Sequence, residues 1–396
     1  MEIKVKYQYS YFIYPYTVTK EKYDKYIDGL IKNKKCKIKM FEREKDLDIY
    51  TYFNSDIRKK YFQTFDFTRE ERVKETEAIN KIRKHNCIIF EYFVGNNAQG
   101  KIGEENGIFF KIPKVEIICF NTGVCFISIK THLEGSEDFK NILNFNYKFR
   151  DISSEYSKLK EYEHINIQTD SFNDIKDIKK IIQEIISCEP ENGNFFTHTY
   201  TCIDSEYWNA EVNKVESEFL KYAYTCPSNY DVNFEKDQLL QRINKWKNIK
   251  IAGTKQCFSL LTNNIETANY TKLPEQFERE YFYTLIFNLY KKEYLRILKE
   301  NIYNMKVVDE FEQFEEELLR TELTDDETGD LIDEMWQNIL EIGKNTEKIR
   351  QKMDYIDKNI ILKRYRKMSK LLGTILLISL IFNIINLLML INGWDV

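Results

Sequence analysis

The sequence predicts an α+β fold followed by a helical third that runs into one C-terminal membrane helix. Three observations carry this reading. All five prolines (Pro15, Pro113, Pro190, Pro227 and Pro274) lie in the first 274 residues. Up to about residue 265, β-like runs rich in Ile, Val, Phe and Tyr alternate with stretches of helical pattern. Residues 371–391 then read LLGTILLISLIFNIINLLMLI, 21 positions without a charge.

In chain order, strands are expected at residues 3–14, 87–94, 107–120, 124–131, 195–202 and 257–261. Helices are expected at 20–32, 68–85, 171–188 and 205–222. Asn121-Thr122-Gly123 between two of the strands marks a β-hairpin, with glycine where a positive φ is needed. Residues 95–106, GNNAQGKIGEEN, read as a polar loop without the Gly-Lys-Ser/Thr ending of a phosphate-binding loop. The expected organisation is an α+β domain at 1–265, a helical stalk at 266–370, the membrane helix at 371–391 and a short tail at 392–396.

Within the helical third, one long helix is expected from Phe277 to about Tyr303, and a short acidic one over 307–320. Thr324 and Glu327 are spaced as a capping box for a further helix. From there no strong breaker appears, since Gly329 and Gly343 weaken a helix by about 1 kcal/mol each without ending it. A stripe spaced alternately by three and four runs along it: Ile332, Met335, Ile339, Ile342, Thr346, Ile349, Met353, Ile356 and Ile360. This is the pattern of a coiled-coil seam. It serves equally well to pack on residues 277–303 of the same chain or to join copies of the chain.

Lys363, Arg364, Arg366, Lys367 and Lys370 form a basic collar just before the charge-free run. They suit anionic lipid headgroups, and they place the bulk of the chain on the cytoplasmic side of a cell membrane, with a single pass. Inside the apolar run, Ser379, Asn383 and Asn386 share one helical face. A carboxamide in hydrocarbon requires a partner, so this face predicts association between copies, whether it lines an ion path or only joins helices.

The net charge of −4, with its one dense basic cluster beside the membrane, argues against nucleic acid as a partner. The eight cysteines are scattered, without a C-x-x-C pair, and free thiols are expected in a reducing compartment. His85, His132, His164 and His198 show no metal spacing, and no nucleophile-base arrangement appears, so the chain is not read as an enzyme. Asp309, Glu310, Glu312, Glu315, Glu316, Glu317, Asp325, Asp326, Asp330, Asp333 and Glu334 form an acidic band, read as a solvated face that attracts cations or as a Mg²⁺ site.

The chain resembles the CorA-like divalent-cation transporter superfamily. The resemblance rests on the element order and on three segments: Phe311-x-x-Phe314 through Glu322-Leu323-Thr324-x-x-Glu327-x-Gly329, Phe120 to Phe126 (FNTGVCF), and Asn144 to Arg150 (NFNYKFR). It implies a homo-oligomer, a pentamer in that family, with Mg²⁺ or another divalent cation as cargo. It also implies that Asn383 and Asn386 face a pore axis. The residues after the helix depart from the family, holding neither its Gly-Met-Asn signature nor a second membrane helix. The expected function is therefore an oligomeric ion-conducting or membrane-perturbing assembly gated by its cytoplasmic domain. The alternative is a membrane-tethered binding or sensing module whose helix is a plain anchor.

Overall fold

The computed structural model describes residues 3–62, 85–102, 107–133, 138–151, 165–169, 172–186, 195–210, 212–230, 240–263, 272–302 and 305–391. They form two compact units. One comprises Met1–Tyr294 with Arg320–Glu341, the other Leu295–Leu319 with Ile342–Val396. The sheet-containing unit thus extends beyond residue 265.

The first unit is built on one mixed sheet of twelve strands. These are β1 (Val5–Thr17), β2 (Cys36–Ile38), β3 (Cys87–Tyr92), β4 (Gln99–Ile102), β5 (Ile108–Phe120), β6 (Val124–Leu133), β7 (Ile165–Thr169), β8 (Phe172–Asp177), β9 (Phe196–Ile203), β10 (Gln241–Ile243), β11 (Ile249–Gly253) and β12 (Cys257–Thr262). Their order is β10-β11-β12-β9-β1-β6-β5-β4-β7-β8, with β3 joining β5 to β2. Every pairing is antiparallel except β12 with β9.

Strand β1 is central because both of its faces are apolar. Tyr9 and Tyr11 point to one side, where Tyr9 stacks on Tyr200 at 5.3 Å and Tyr11 meets Phe282 at 4.7 Å. Phe12 points to the other and stacks on Phe149 at 3.8 Å. Pro15 is tolerated in this strand for a positional reason. Pairing with β9 ends at Ile13, while pairing with β6 continues to Thr17, so the missing N–H falls where β9 asks for none. The β5–β6 hairpin turns at Gly123, φ +89°, where a Cβ would strike the Val18 carbonyl oxygen at 2.1 Å.

Helices cover both faces. On the Phe12 side lie α1 (Lys20–Lys32), α4 (Phe139–Asp151), α5 (Ile178–Ile186), α6 (Ser205–Ala210) and α7 (Val212–Ala223), whose Ile27, Phe145, Ile182 and Phe219 join one core. The Tyr11 side carries α2 (Leu47–Tyr52), α3 (Ser55–Tyr61), α8 (Lys272–Glu278), the first part of α9 (Glu280–Glu300) and α11 (Glu327–Ile339). There Phe120 stacks on Tyr290 at 3.7 Å, and Trp336 meets Phe258 and Phe196 edge-on. The second unit holds the end of α9, then α10 (Met305–Phe314), a π-helical turn (Glu315–Leu319) and α12 (Ile342–Ile391). Arg350 of α12 pairs with Glu315 and, at 3.6 Å, with Glu347.

Several expectations need correction. Residues 172–177 form β8, so the helix expected over 171–188 begins only at Ile178. Residues 205–210 and 212–223 are helical, where a helix was expected over 205–222. Gln99–Ile102 of the expected polar loop pair as β4 between β5 and β7. The helix expected at 68–85 lies almost wholly outside the described residues, as does the tail at 392–396. Asp326, not Thr324, caps α11: its carboxylate accepts the Thr328 and Gly329 N–H groups at 2.9 Å each. Thr324 instead donates its hydroxyl hydrogen to Asp330 at 2.7 Å.

The helix after this cap does not run unbroken. Leu340 and Glu341 close α11, and Glu341 takes φ +54° before α12 begins. Ile339, Leu340 and Ile342 are all buried. The left-handed conformation of Glu341 interrupts the helical run at a cost of about 1–2 kcal/mol.

Candidate functional site

Residues 367–389 of α12 are the most unusual surface of the protein. They form the one helix, among the described residues, long and apolar enough to cross a membrane, with mean hydropathy 2.4 and no part of its apolar window buried. Leu376 and Phe382 are 69 % and 63 % exposed. Straight-chain and branched apolar side chains hold this segment helical, and Thr374 returns its hydroxyl to the Lys370 carbonyl at 2.9 Å. At its start Lys367 and Lys370 are exposed; Lys363, Arg364 and Arg366 lie on the same helix, outside the described side chains. Ser379, Asn383 and Asn386 are exposed on the helix surface. No side-chain partner reaches them from the described chain. Helical geometry places them within about 60° of arc, since four residues advance a helix by about 400° and three by about 300°.

The heptad stripe divides. Ile332, Met335 and Ile339 are buried in the sheet-containing unit. Met335 and Ile339 press on Gly253 of β11 so closely that a Cβ there would lie 2.6 Å from Ile339 Cδ1. Ile342, Thr346 and Ile349 are buried as well, whereas Met353 and Ile356 are half-buried; the Ile360 side chain is outside the description. The first three positions are therefore covered by their own chain and closed to a seam between copies.

The acidic band disperses in the same way. Asp326 caps α11, Asp330 holds Thr324, Asp333 is buried and Glu315 pairs with Arg350. Among the described residues no three His, Cys, Asp or Glu side chains are grouped so as to hold a metal ion. His198 is fully buried, stacked on Phe277 at 4.0 Å, and its Nε2–H donates to the Phe277 carbonyl at 2.7 Å. Burial lowers it to about 3, so the ring is neutral. His164 lies outside the described residues. The seven described cysteines, Cys36, Cys87, Cys119, Cys125, Cys202, Cys226 and Cys257, are free thiols.

Sequence reasoning missed two buried polar constellations. In the first, Glu116 of β5 is 1 % exposed and accepts from Lys39 at 2.8 Å and Lys114 at 2.9 Å. Burial alone would raise its carboxyl, but the two ammonium groups outweigh burial and hold it at about 2. The second is a polar ridge on α9: Glu280, Thr284, Asn288 and Lys291, all buried, at spacings of four, four and three. Thr284 shares a hydrogen bond with Tyr52 Oη at 3.2 Å. Asn288 donates to Asp333 Oδ1 of α11 at 2.6 Å, and Gln337 donates to Oδ2 at 2.7 Å. Lys291 Nζ lies 3.9 Å from the same carboxylate. Burial pulls the ammonium down, and Asp333 opposes that pull. The signal was present in Glu-x₃-Thr-x₃-Asn-x₂-Lys, a helical period inside an otherwise aromatic stretch.

This geometry offers ion pairing, capping and helix–helix recognition, with no arrangement of nucleophile, base and oxyanion donors among the described residues. No protein-family model and no curated protein matches the chain.

Proposed function

We propose that this is a single-pass membrane protein whose folded bulk faces the cytoplasm. Copies associate through the Ser379, Asn383 and Asn386 face, and the assembly conducts ions or perturbs the membrane under control of the α+β unit. One observation carries the reading: α12 presents three polar side chains, without partners among the described residues, on a fully exposed apolar helix. Lipid offers no hydrogen bonds to a carboxamide, so a second copy or a water-filled path must supply them. The basic collar supports the orientation, since Lys and Arg flanking a span are retained on the cytoplasmic side. The likeness to CorA-like transporters in element order supports an oligomer with a divalent cation such as Mg²⁺ as cargo.

The test is to count subunits by native mass spectrometry in detergent, then to measure ion flux in liposomes. An oligomer whose flux disappears in the Asn383→Leu/Asn386→Leu variant supports the reading; flux unchanged by that substitution removes the pore.

A second reading is favoured by the self-packing of Ile332, Met335 and Ile339, which shortens any seam between copies. In it the helix is a plain anchor for a binding or sensing module. Replacing residues 371–391 by an unrelated apolar helix would then leave activity intact.

A further inference from the structure

Cys119 of β5 and Cys125 of β6 stand directly opposite each other beside the Asn121-Thr122-Gly123 turn. Both are fully buried, in the core on the Phe12 side of the sheet. The backbone decides what kind of pair they make. Val18, just past β1, donates its N–H to the Gly123 carbonyl at 2.8 Å, in register with Tyr16 opposite Cys125. Backbone groups point alternately to the two neighbouring strands, so those of Cys125 point to β1 and away from β5. Cys119 and Cys125 therefore form a non-hydrogen-bonded pair, with Cα atoms about 4.5 Å apart and both side chains on one face. A disulfide requires Cα atoms roughly 4.4–6.8 Å apart, so this pair can close with little movement of the backbone.

Two other thiols of the sheet do not compete for this bond. Cys36 lies on β2, with β3 between it and β5. Cys87 of β3 is opposite Phe120, one position beyond Cys119, and so points to the other face of the sheet.

We propose that Cys119 and Cys125 are a reversible redox clasp: hydrogen peroxide oxidises them to a cross-strand disulfide that staples the β5–β6 hairpin beside its turn, and a thiol reopens it. The Cα separation lies at the short end of the permitted range, which strains the bond, and strained disulfides are the readily reduced ones. The clasp belongs to the sheet-containing unit and does not rest on how the membrane helix functions.

Burial, then the hydrogen bond with the Cys125 thiol, raise the Cys119 thiol, so the closed hairpin reacts slowly. Access comes from opening of the hairpin end, since Asn121, two positions from Cys119, is exposed at the turn. There one thiolate sulfur attacks a peroxide oxygen; the O–O bond breaks, hydroxide leaves and a sulfenic acid forms. The second sulfur attacks the sulfenic sulfur, the S–S bond forms and the S–OH group departs as water. In sum two thiols and one peroxide give one disulfide and two waters.

The experiment treats the folded full chain in detergent with hydrogen peroxide, removes the peroxide, then unfolds the protein, alkylates free thiols and digests with trypsin. The peptide spanning residues 115–130 holds both cysteines and no other. Mass spectrometry should find it unalkylated and two hydrogens lighter, and dithiothreitol should restore double alkylation. In Cys125→Ala no second thiol resolves the sulfenic acid, and Cys119 should be carried on to sulfinic acid, two oxygens heavier. A wild-type peptide that stays doubly alkylated, or goes to sulfinic acid as the variant does, would overturn the proposal. So would a disulfide that joins Cys36 or Cys87 to either residue in place of the Cys119–Cys125 bond.

Discussion

Helices α9 and α12 carry the same pattern and resolve it in opposite ways. Each is largely apolar, and each bears polar residues at helical spacing along one face. On α9 the residues Glu280, Thr284, Asn288 and Lys291 are buried, and Tyr52 answers Thr284 while Asp333 answers Asn288 and Lys291 from the same unit. On α12 the residues Ser379, Asn383 and Asn386 are exposed and unanswered. A polar ridge on an apolar helix is thus a demand for a partner, and the surroundings decide whether the chain or another molecule supplies it.

The largest expected effect breaks the α9 side of the comparison. Asp333→Ala strips the acceptor from Asn288 and Gln337 and leaves Lys291 as a buried cation without its counter-charge. A loss of about 3–5 kcal/mol is expected in denaturant unfolding. The double variant Asp333→Leu/Lys291→Met should lose markedly less, because removing both charges spares the desolvated orphan. Equal losses would show that the two groups are not coupled.

Glycine substitutions give a smaller, two-sided test. Gly253→Ala places a methyl group 2.6 Å from Ile339 Cδ1 and should destabilise by about 1–3 kcal/mol. Gly343→Ala on α12 meets nothing within 4 Å and should stabilise by about 0.5–1 kcal/mol. Thermal unfolding of both variants in detergent separates a helix pressed on its sheet from one with open space beside it.

The smallest effect on unfolding is expected on the α12 side. Asn383→Leu with Asn386→Leu should leave the melting of the sheet-containing unit unchanged while lowering the subunit count in detergent. A shifted melting temperature with an unchanged count would reverse the roles assigned to the two ridges.

What was legible in the sequence was what local chemistry decides. Asn121-Thr122-Gly123 specifies its turn by the conformational freedom of one glycine, and the charge-free run needs no neighbour to be read as a membrane-length helix. The α+β class followed from the same local patterns. What escaped depends on partners remote in the chain. Asn288 and Asp333 are 45 positions apart, so the α9 ridge has meaning only once α11 lies beside it. Leu340-Glu341 contains no breaker, yet Glu341 takes a left-handed conformation and the helix ends there. Residues 172–177 carry charges at intervals that a helix also tolerates, and their pairing with β7 decided for strand.

Pro15 has a consequence for the nascent chain. Past Ile13, the side of β1 that faced β9 has no neighbouring strand among the described residues, and a bare backbone edge there would invite capture by another polypeptide. The proline ring deletes the N–H at that point, so an incoming strand meets a gap in the ladder of donors. In an aromatic-rich sheet, this one residue is a safeguard against aggregation through that edge.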